Sequence, residues 1–397
     1  MSKIEPLNGP ALPKVVWRVG WVSLLTDAAT EMVYPLLPAF LRSMGGGASW
    51  LGVVEGVAEA VSAFVKWRTG ALVDRSPRKK GFVVAGYGIS SLVRPLLALA
   101  AAPWHVVLVR ATDRVGKGLR SAPRDAILTA AVTPEQRAAA FGAHRMMDNL
   151  GAVIGPLLAF AFAQVLVLPT RTIFALAAVP GALALATAIF GVHEIVEAAP
   201  RVEAKQSSQD GTPLPGPLRR YFVAIALFSL GASADSFLLL RLNKQGLPDA
   251  WLPIAWLTLN LAKSAMNVPG GRLADRYGRK RVLSFGWLVY AAVYCAFPFA
   301  SSVPATWALL VVYAAYYGLA EGSEKALVAD LAPKEVRGRA FGLLSAITGI
   351  AVLPANAVFG VLFDLQPAYA FGAGALCAFL GAAVLSTVGL GTVRPRT

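Results

Sequence analysis

The stretch "GRLADRYGRKR", Gly271 to Arg281, decides how the chain is read, because "GALVDRSPRKK", Gly70 to Lys80, says nearly the same thing about 200 residues earlier. A second pair keeps that spacing: "PEQRAAAFG" from Pro134 corresponds to "PKEVRGRAFG" from Pro333, one residue longer. Two matches at one offset describe a duplicated unit. Between the copies, Glu194 to Pro217 reads "EIVEAAPRVEAKQSSQDGTPLPGP", polar and rich in Pro, Ser and Gln. It has too little apolar surface to pack and reads as a flexible linker. The expected division is a first half over 1–193, a linker over 194–217 and a second half over 218–397.

The 397 residues are 56% hydrophobic and 15% charged, with a mean hydropathy of +0.59. A soluble domain does not tolerate that balance on its surface. Apolar stretches of roughly 20 residues, the length that crosses a hydrocarbon core, recur along the chain between short polar or Gly/Pro-rich breaks. Their unbroken apolar character selects helices over barrel strands. The fold class is therefore an all-α membrane protein of about twelve transmembrane helices in two pseudo-symmetric six-helix halves. "MSKIEPLNGPALPK" lacks an apolar signal core with a small-residue cleavage site, so the first span is expected to stay in the membrane.

A formal charge of +15 would suggest nucleic acid in a soluble chain. Here the basic residues crowd alternate short loops, whereas "AAPWH" and "SSVPA" carry no Lys or Arg. The positive-inside rule accounts for them: both termini, the linker and the basic loops are expected in the cytoplasm, with the bilayer as partner and no nucleic acid. Cys295 and Cys377 sit in separate apolar spans, so they are expected to be buried packing thiols, with neither a disulfide nor a metal pair.

The repeated loop resembles the hallmark G-x-x-x-D-R-x-G-R-[KR] loop of the major facilitator superfamily, and the resemblance extends from about Val15 to Leu390. The second copy, Gly271, Asp275, Arg276, Gly278, Arg279 and Lys280, is complete. The first has Gly70, Asp74, Arg75, Arg78 and Lys79, with Ser76-Pro77 where x-Gly is usual. The resemblance implies gate loops that latch the two halves in the outward-facing state. In the fifth span, Gly142, Gly151, Gly155 and Pro156 stand at G-x8-G-x3-G-P, similar to a helix of drug and metabolite proton antiporters, although Ala159-Phe160 replaces the trailing Gly pair. Gly151 and Gly155 also form a GxxxG ridge that any membrane bundle could pack. Its repeat equivalent, "GLLSAITGIAVLPANA", keeps neither the Gly-Pro pair nor the spacing, so the motif serves one half only.

The remaining signal is charge at bilayer depth, which costs a few kcal/mol per side chain unless it is paired or lines water. In "SLLTDAATEMVYPLLPAFL", Asp27, Glu31 and Tyr34 point from one helical face. In the fourth span Arg110, Arg114 and Lys117 share a face, and Asp113, Lys117, Arg120 and Arg124 an adjacent one, a cationic column. Glu55 and Glu59 in the second span and Asp148 in the fifth are further acids, and Asp235, Lys263, Glu321, Glu324 and Lys325 belong to the second half, with Glu321 and Lys325 spaced to pair on their own helix. The family fold lines its cavity with the first, fourth, seventh and tenth helices, on which most of these charges fall; the expected cavity is Asp27, Glu31, Tyr34, Arg110, Asp113, Arg114, Lys117, Asp235, Glu321 and Glu324, with Glu59 of the second span and Asp148 of the fifth. "TDAATEMVYPLLP", "DRVGKGLRSAPRDA" and "AHRMMDNLGAVIGP" also resemble a bacterial subgroup of efflux proteins.

The expectation is a secondary transporter of the inner membrane, acting as a monomer on a small-molecule substrate with protons as coupling ion, in which Asp27, then Glu31, exchanges a proton and a salt bridge to Arg110 or Arg114. Import of an anionic metabolite by proton symport and export of a divalent metal on Asp27 and Glu31 are the alternatives. No Walker loop, HExxH, GxSxG or Cys/His cluster is present, so neither ATP drive, an enzyme, a cofactor nor a built metal site is expected.

Overall fold

A computed structural model describes residues 12–73, 76, 78–133, 136–194, 213–333 and 336–389. Asp74, Arg75 and most of the expected linker lie outside them. The described residues form fifteen α-helices: α1 Lys14–Val33, α2 Leu37–Ser43, α3 Ala48–Val73, α4 Lys80–Val93, α5 Pro103–Ala130, α6 Arg137–Phe160, α7 Thr170–Leu176, α8 Ala178–Ala186, α9 Gly216–Gly231, α10 Ser236–Lys244, α11 Leu252–Tyr277, α12 Arg279–Ala296, α13 Val303–Leu331, α14 Arg337–Leu365 and α15 Pro367–Ser386. They make twelve spans. α1 runs into α2 through a tight 3₁₀ turn at Tyr34–Leu36, where Pro35 and Pro38 cannot donate to the helical ladder. The sixth span is α7 with α8, and the seventh is α9 with α10, interrupted at residues 232–235.

Nine helical stretches among the described residues are long and apolar enough to cross a membrane. The three spans missing from that set are α1–α2, α5 and α11. They fail for an informative reason, since they carry Asp27 and Glu31, the cationic column, and Lys263. Such helices depend on their neighbours to hide charge from lipid.

The duplication is visible in the packing. α1 lies on α6 as α9 lies on α14, and α3 and α4 flank α5 as α11 and α12 flank α13. Across the halves, α3 packs on α14 and α11 on α6, the same contact made twice with the roles exchanged.

These two seams are closed at one end only. At the end holding the turn after α2, a Cβ on Gly52 would stand 2.2 Å from the Asn356 carbonyl oxygen, and one on Gly360 would stand 2.5 Å from the Ala48 oxygen. Only glycine lets the backbones approach so closely. Asp364, at the end of α14, accepts from Ala48 N and Ser49 N, both at 2.7 Å, and so caps α3 from the opposite half. At the other end, which bears the gate loops, Gly70, Gly142, Gly271, Gly338 and Gly342 would gain a Cβ with nothing within 4 Å. Six consecutive residues of α11 near that end, Ser264 to Pro269, have exposed side chains, although their backbone lies against α13, where a Cβ on Gly318 would stand 2.3 Å from the Met266 oxygen. The bundle is open toward the gate loops.

The second gate loop turns at Gly278 with φ +90°, a conformation L side chains avoid. In the first loop Ser76 Oγ donates to the Arg78 carbonyl at 2.9 Å instead. Glu194, expected in the linker, caps α4 by accepting from Lys79 N at 2.6 Å and Lys80 N at 3.1 Å. Arg279 meets Asp330 at 2.6 Å, inside its own half. Asp275 and Arg276 are exposed at the open end. The cysteines correct an expectation: both are free, but Cys295 is exposed on the outer surface of α12 rather than buried.

Candidate functional site

A cavity of about 350 Å³ lies between the halves, bounded by α1, α3, α5, α11, α13 and the break in the seventh span. Eight of the twelve residues expected to line it do so: Asp27, Glu31, Tyr34, Glu59, Asp113, Arg114, Lys117 and Asp235. The other four stand elsewhere. Arg110 is buried behind the wall, its guanidinium 5.1 Å from the Tyr34 ring centre. Asp148 faces His144 at 3.6 Å on α6. Glu321 approaches Arg145 of the opposite half at 3.9 Å rather than pairing with Lys325, and Glu324 sits lower on α13, where Tyr221 donates to its carbonyl oxygen at 2.9 Å. Both lie toward the open end because α13 carries them one to two turns past Tyr317, the residue that reaches the cavity.

The first half meets its cations with a ladder of ion pairs, two of them fully buried. Arg110 contacts Glu55 at 3.2 Å, Arg114 contacts Glu59 at 3.1 Å, and Arg94 of the third span contacts Asp113 at 2.8 Å. Arg120 donates to Ser90 Oγ at 2.6 Å and lies 4.6 Å from the Tyr87 ring centre. This corrects the expected partners of Asp27: Arg110 and Arg114 are already held by the second span. The reason is geometric, since α3 packs along α5 whereas α1 makes little contact with it and leaves the cavity between them. Asp27 has no ion pair within 4 Å among the described residues, and Glu31 accepts a hydrogen bond from Trp256 Nε1 of the other half. Lys117 is exposed to the cavity and likewise has no ion pair among the described residues.

The fifth-span glycines explain where Asp27 and Glu31 point. A Cβ on Gly151 would stand 2.4 Å from the Leu24 oxygen and 3.0 Å from Asp27 Cβ, and one on Gly155 would stand 2.6 Å from the Ala28 oxygen and 2.7 Å from Glu31 Cβ. The ridge is therefore the seat of α1 immediately behind its two acids. Gly142 takes no part in that contact, and Pro156 is buried one residue past the seat.

The second half builds its wall from one acid and a cluster of tyrosines. Asp235, at the break between α9 and α10, accepts from Lys263 Nζ, from Tyr313 at 2.9 Å and from Tyr317 at 3.0 Å. The broken backbone is satisfied by side chains: Ala234 N donates to Asn356 Oδ1 at 2.8 Å, and Tyr290 donates to the Gly231 oxygen at 3.1 Å. Irregular backbone at membrane depth survives only where protein or water satisfies it, and it marks binding sites in transporters. Trp256 closes the wall, with its ring 4.7 Å from that of Tyr34.

Sequence reading missed Arg94, the tyrosine cluster and the Asp364 cap. Arg94 stands alone before a proline in an apolar span, and that isolated charge was the available signal.

Two halves of like packing about a charged cavity define a membrane transporter of the alternating-access type that acts on small-molecule substrates. The particular family follows from comparison: the Major Facilitator Superfamily model matches residues 19–259 and 254–396, and the chain belongs to that superfamily. An uncharacterized MFS-type transporter of Methanocaldococcus jannaschii is 31% identical over 384 residues, 95% of this chain and 96% of the relative. The multidrug resistance protein MdtH of Photorhabdus laumondii is 31% identical over 137 residues, 34% of either chain. Among solved structures, a bacterial homologue of the human lysosomal transporter Spinster superposes with a TM-score of 0.72 at 14% identity, covering 96% of each chain, which shows the shared fold.

Proposed function

We propose that the protein is a proton-coupled exporter of a small organic solute in the cytoplasmic membrane, with the basic, open end and both termini in the cytoplasm. The observation that carries this is the pairing pattern. Glu55, Glu59, Asp113 and Asp235 each hold a cation, whereas Asp27 and Glu31 face the same cavity with none among the described residues. An acid at bilayer depth without a cation is neutralised either by a proton or by a cationic group of the cargo. Competition between the two is a coupling mechanism: cargo entering from the cytoplasm displaces the proton, and protons from outside displace the cargo. MdtH, a multidrug resistance protein, supports the export direction. Divalent-metal export is left with two carboxylates, since no three His, Cys, Asp or Glu converge among the described residues.

The test is proton release from energised everted vesicles. Adding cargo is expected to discharge the pH gradient, and Asp27→Asn to abolish the discharge. A variant that still exchanges protons for cargo, or cargo uptake that needs an inward proton flow in right-side-out vesicles, would overturn the proposal.

A further inference from the structure

The cavity's lining narrows the cargo, given the reading above that this cavity is the transport site. Nine of its fifteen lining residues carry a formal charge, and Ala234 is the single aliphatic one. A lipophilic drug would strip water from those charges without replacing its hydrogen bonds, and sites for such molecules are mostly apolar. What the cavity leaves unsatisfied is specific. Four of its acids and Arg114 are in ion pairs, and Arg120 is spent on Ser90 and the Tyr87 ring. Asp27 and Glu31 on α1, and Lys117 on α5, are left without an ion-pair partner among the described residues, and the charges that bear on Asp27 are Asp148 on α6 and Lys117, Arg120 and Arg124 on α5. One open wall is therefore anionic and the facing one cationic. Tyr34, Trp256 and Tyr317 supply ring faces between these walls and the second half.

We propose that the cargo is a small hydrophilic zwitterion, its ammonium taken by Asp27 and Glu31 and its carboxylate by Lys117. Such a molecule neutralises both walls at once, whereas a simple amine leaves Lys117 without a counter-charge and a simple acid leaves the α1 carboxylates without one. The proton of the transport cycle competes with the ammonium only. Lys117 therefore sets selectivity, and Asp27 sets coupling.

The experiment uses the full chain purified in detergent and three probes of one size: phenylalanine, phenethylamine and hydrocinnamate, with tetraphenylphosphonium as the lipophilic cation. Phenylalanine is expected to raise the Tm at a concentration at least about tenfold below either singly charged probe, the worth of one charge-assisted hydrogen bond. Lys117→Gln is expected to bring phenylalanine down to the level of phenethylamine, Lys117→Arg to keep the preference, and Asp27→Asn with Glu31→Gln to bring it down to hydrocinnamate. The Tm without probe reports whether each variant folds. Equal or absent effects of the three probes, or tetraphenylphosphonium as the strongest of the four, would overturn the proposal. Its failure is separable from that of proton coupling: a wild-type probe order as stated with proton exchange intact in Asp27→Asn sinks the coupling alone, and the reverse result sinks the zwitterion alone.

Discussion

The first half of the molecule surrounds the cavity with Arg94, Arg110, Arg114, Glu55, Glu59 and Asp113 in three ion pairs between helices. The second half faces it with Asp235 and Lys263 set among Tyr290, Tyr294, Tyr313, Tyr316 and Tyr317. Both halves have the same helix order and the same cross-contacts, so the fold does not dictate this difference. What differs is the kind of rigidity. Ion pairs, two of them buried, tie α3 and the end of α4 to α5 and leave α1 to carry the two acids without ion-pair partners among the described residues. Tyrosine hydroxyls around one carboxylate instead hold a gap in a helix, where backbone groups face the cavity.

The comparison breaks first, and most violently, at the ion pairs. Arg94→Ala or Asp113→Ala strands a charge that is about one-twentieth exposed, and each is expected to destabilise the protein by about 3–5 kcal/mol in denaturant unfolding. Replacing both by Leu is expected to recover most of that loss. If the single variants unfold like the wild type, the first half is not held by its charges. Asp235→Ala is the matching cut in the second half. It is expected to cost about 2 kcal/mol, less because the Lys263 side chain is 16% exposed, and to abolish transport through collapse of the break between α9 and α10.

Gly155→Ala sharpens the comparison by moving α1 alone. The added Cβ at 2.6 Å from the Ala28 oxygen forces the helices apart, with an expected cost of about 1–3 kcal/mol. Transport should fall more than stability does, because Glu31 moves with the backbone; unchanged transport would remove the ridge from the mechanism. Asp364→Ala acts on the seam between the halves. It is expected to shift the balance toward the state open at that end by about 1 kcal/mol, since the carboxylate is exposed, and spin-label distances between the start of α3 and the end of α14 would lengthen. Arg145→Ala is the smallest cut. Its 3.9 Å pair with Glu321 leaves both side chains at least half exposed, so the expected change is about 0–0.5 kcal/mol, and a larger one would mean that the open end is held as well as the closed one.

The fold was legible because its signals are collective. A repeat with matched loops and about twelve apolar stretches identifies two six-helix halves however any one residue behaves. The site was legible in part, since charge at bilayer depth announces itself singly. Pairing is not so announced: helical spacing put Arg110 and Asp27 on cavity faces, but which acid Arg110 meets depends on how closely α3 lies along α5. Trp256 could not be assigned from sequence because it sits near a span terminus, where interfacial tryptophans also occur, and the structure turns it inward onto Glu31. The tyrosine cluster was hidden because each member alone is an ordinary interfacial or packing residue, and its meaning comes from α12 and α13 converging on Asp235.

The three spans that fall short of the membrane-spanning criterion bear on how the chain is made as well as on how it works. A newly synthesised α5, with Arg110, Arg114, Lys117, Arg120 and Arg124 along it, is a poor candidate to leave the insertion machinery for lipid by itself. Its partners Glu55, Glu59 and Arg94 are synthesised before it, on α3 and at the end of α4. The order of synthesis thus supplies the counter-charges first, and the fourth span can enter the bilayer as the last member of a preassembled group rather than as a lone helix.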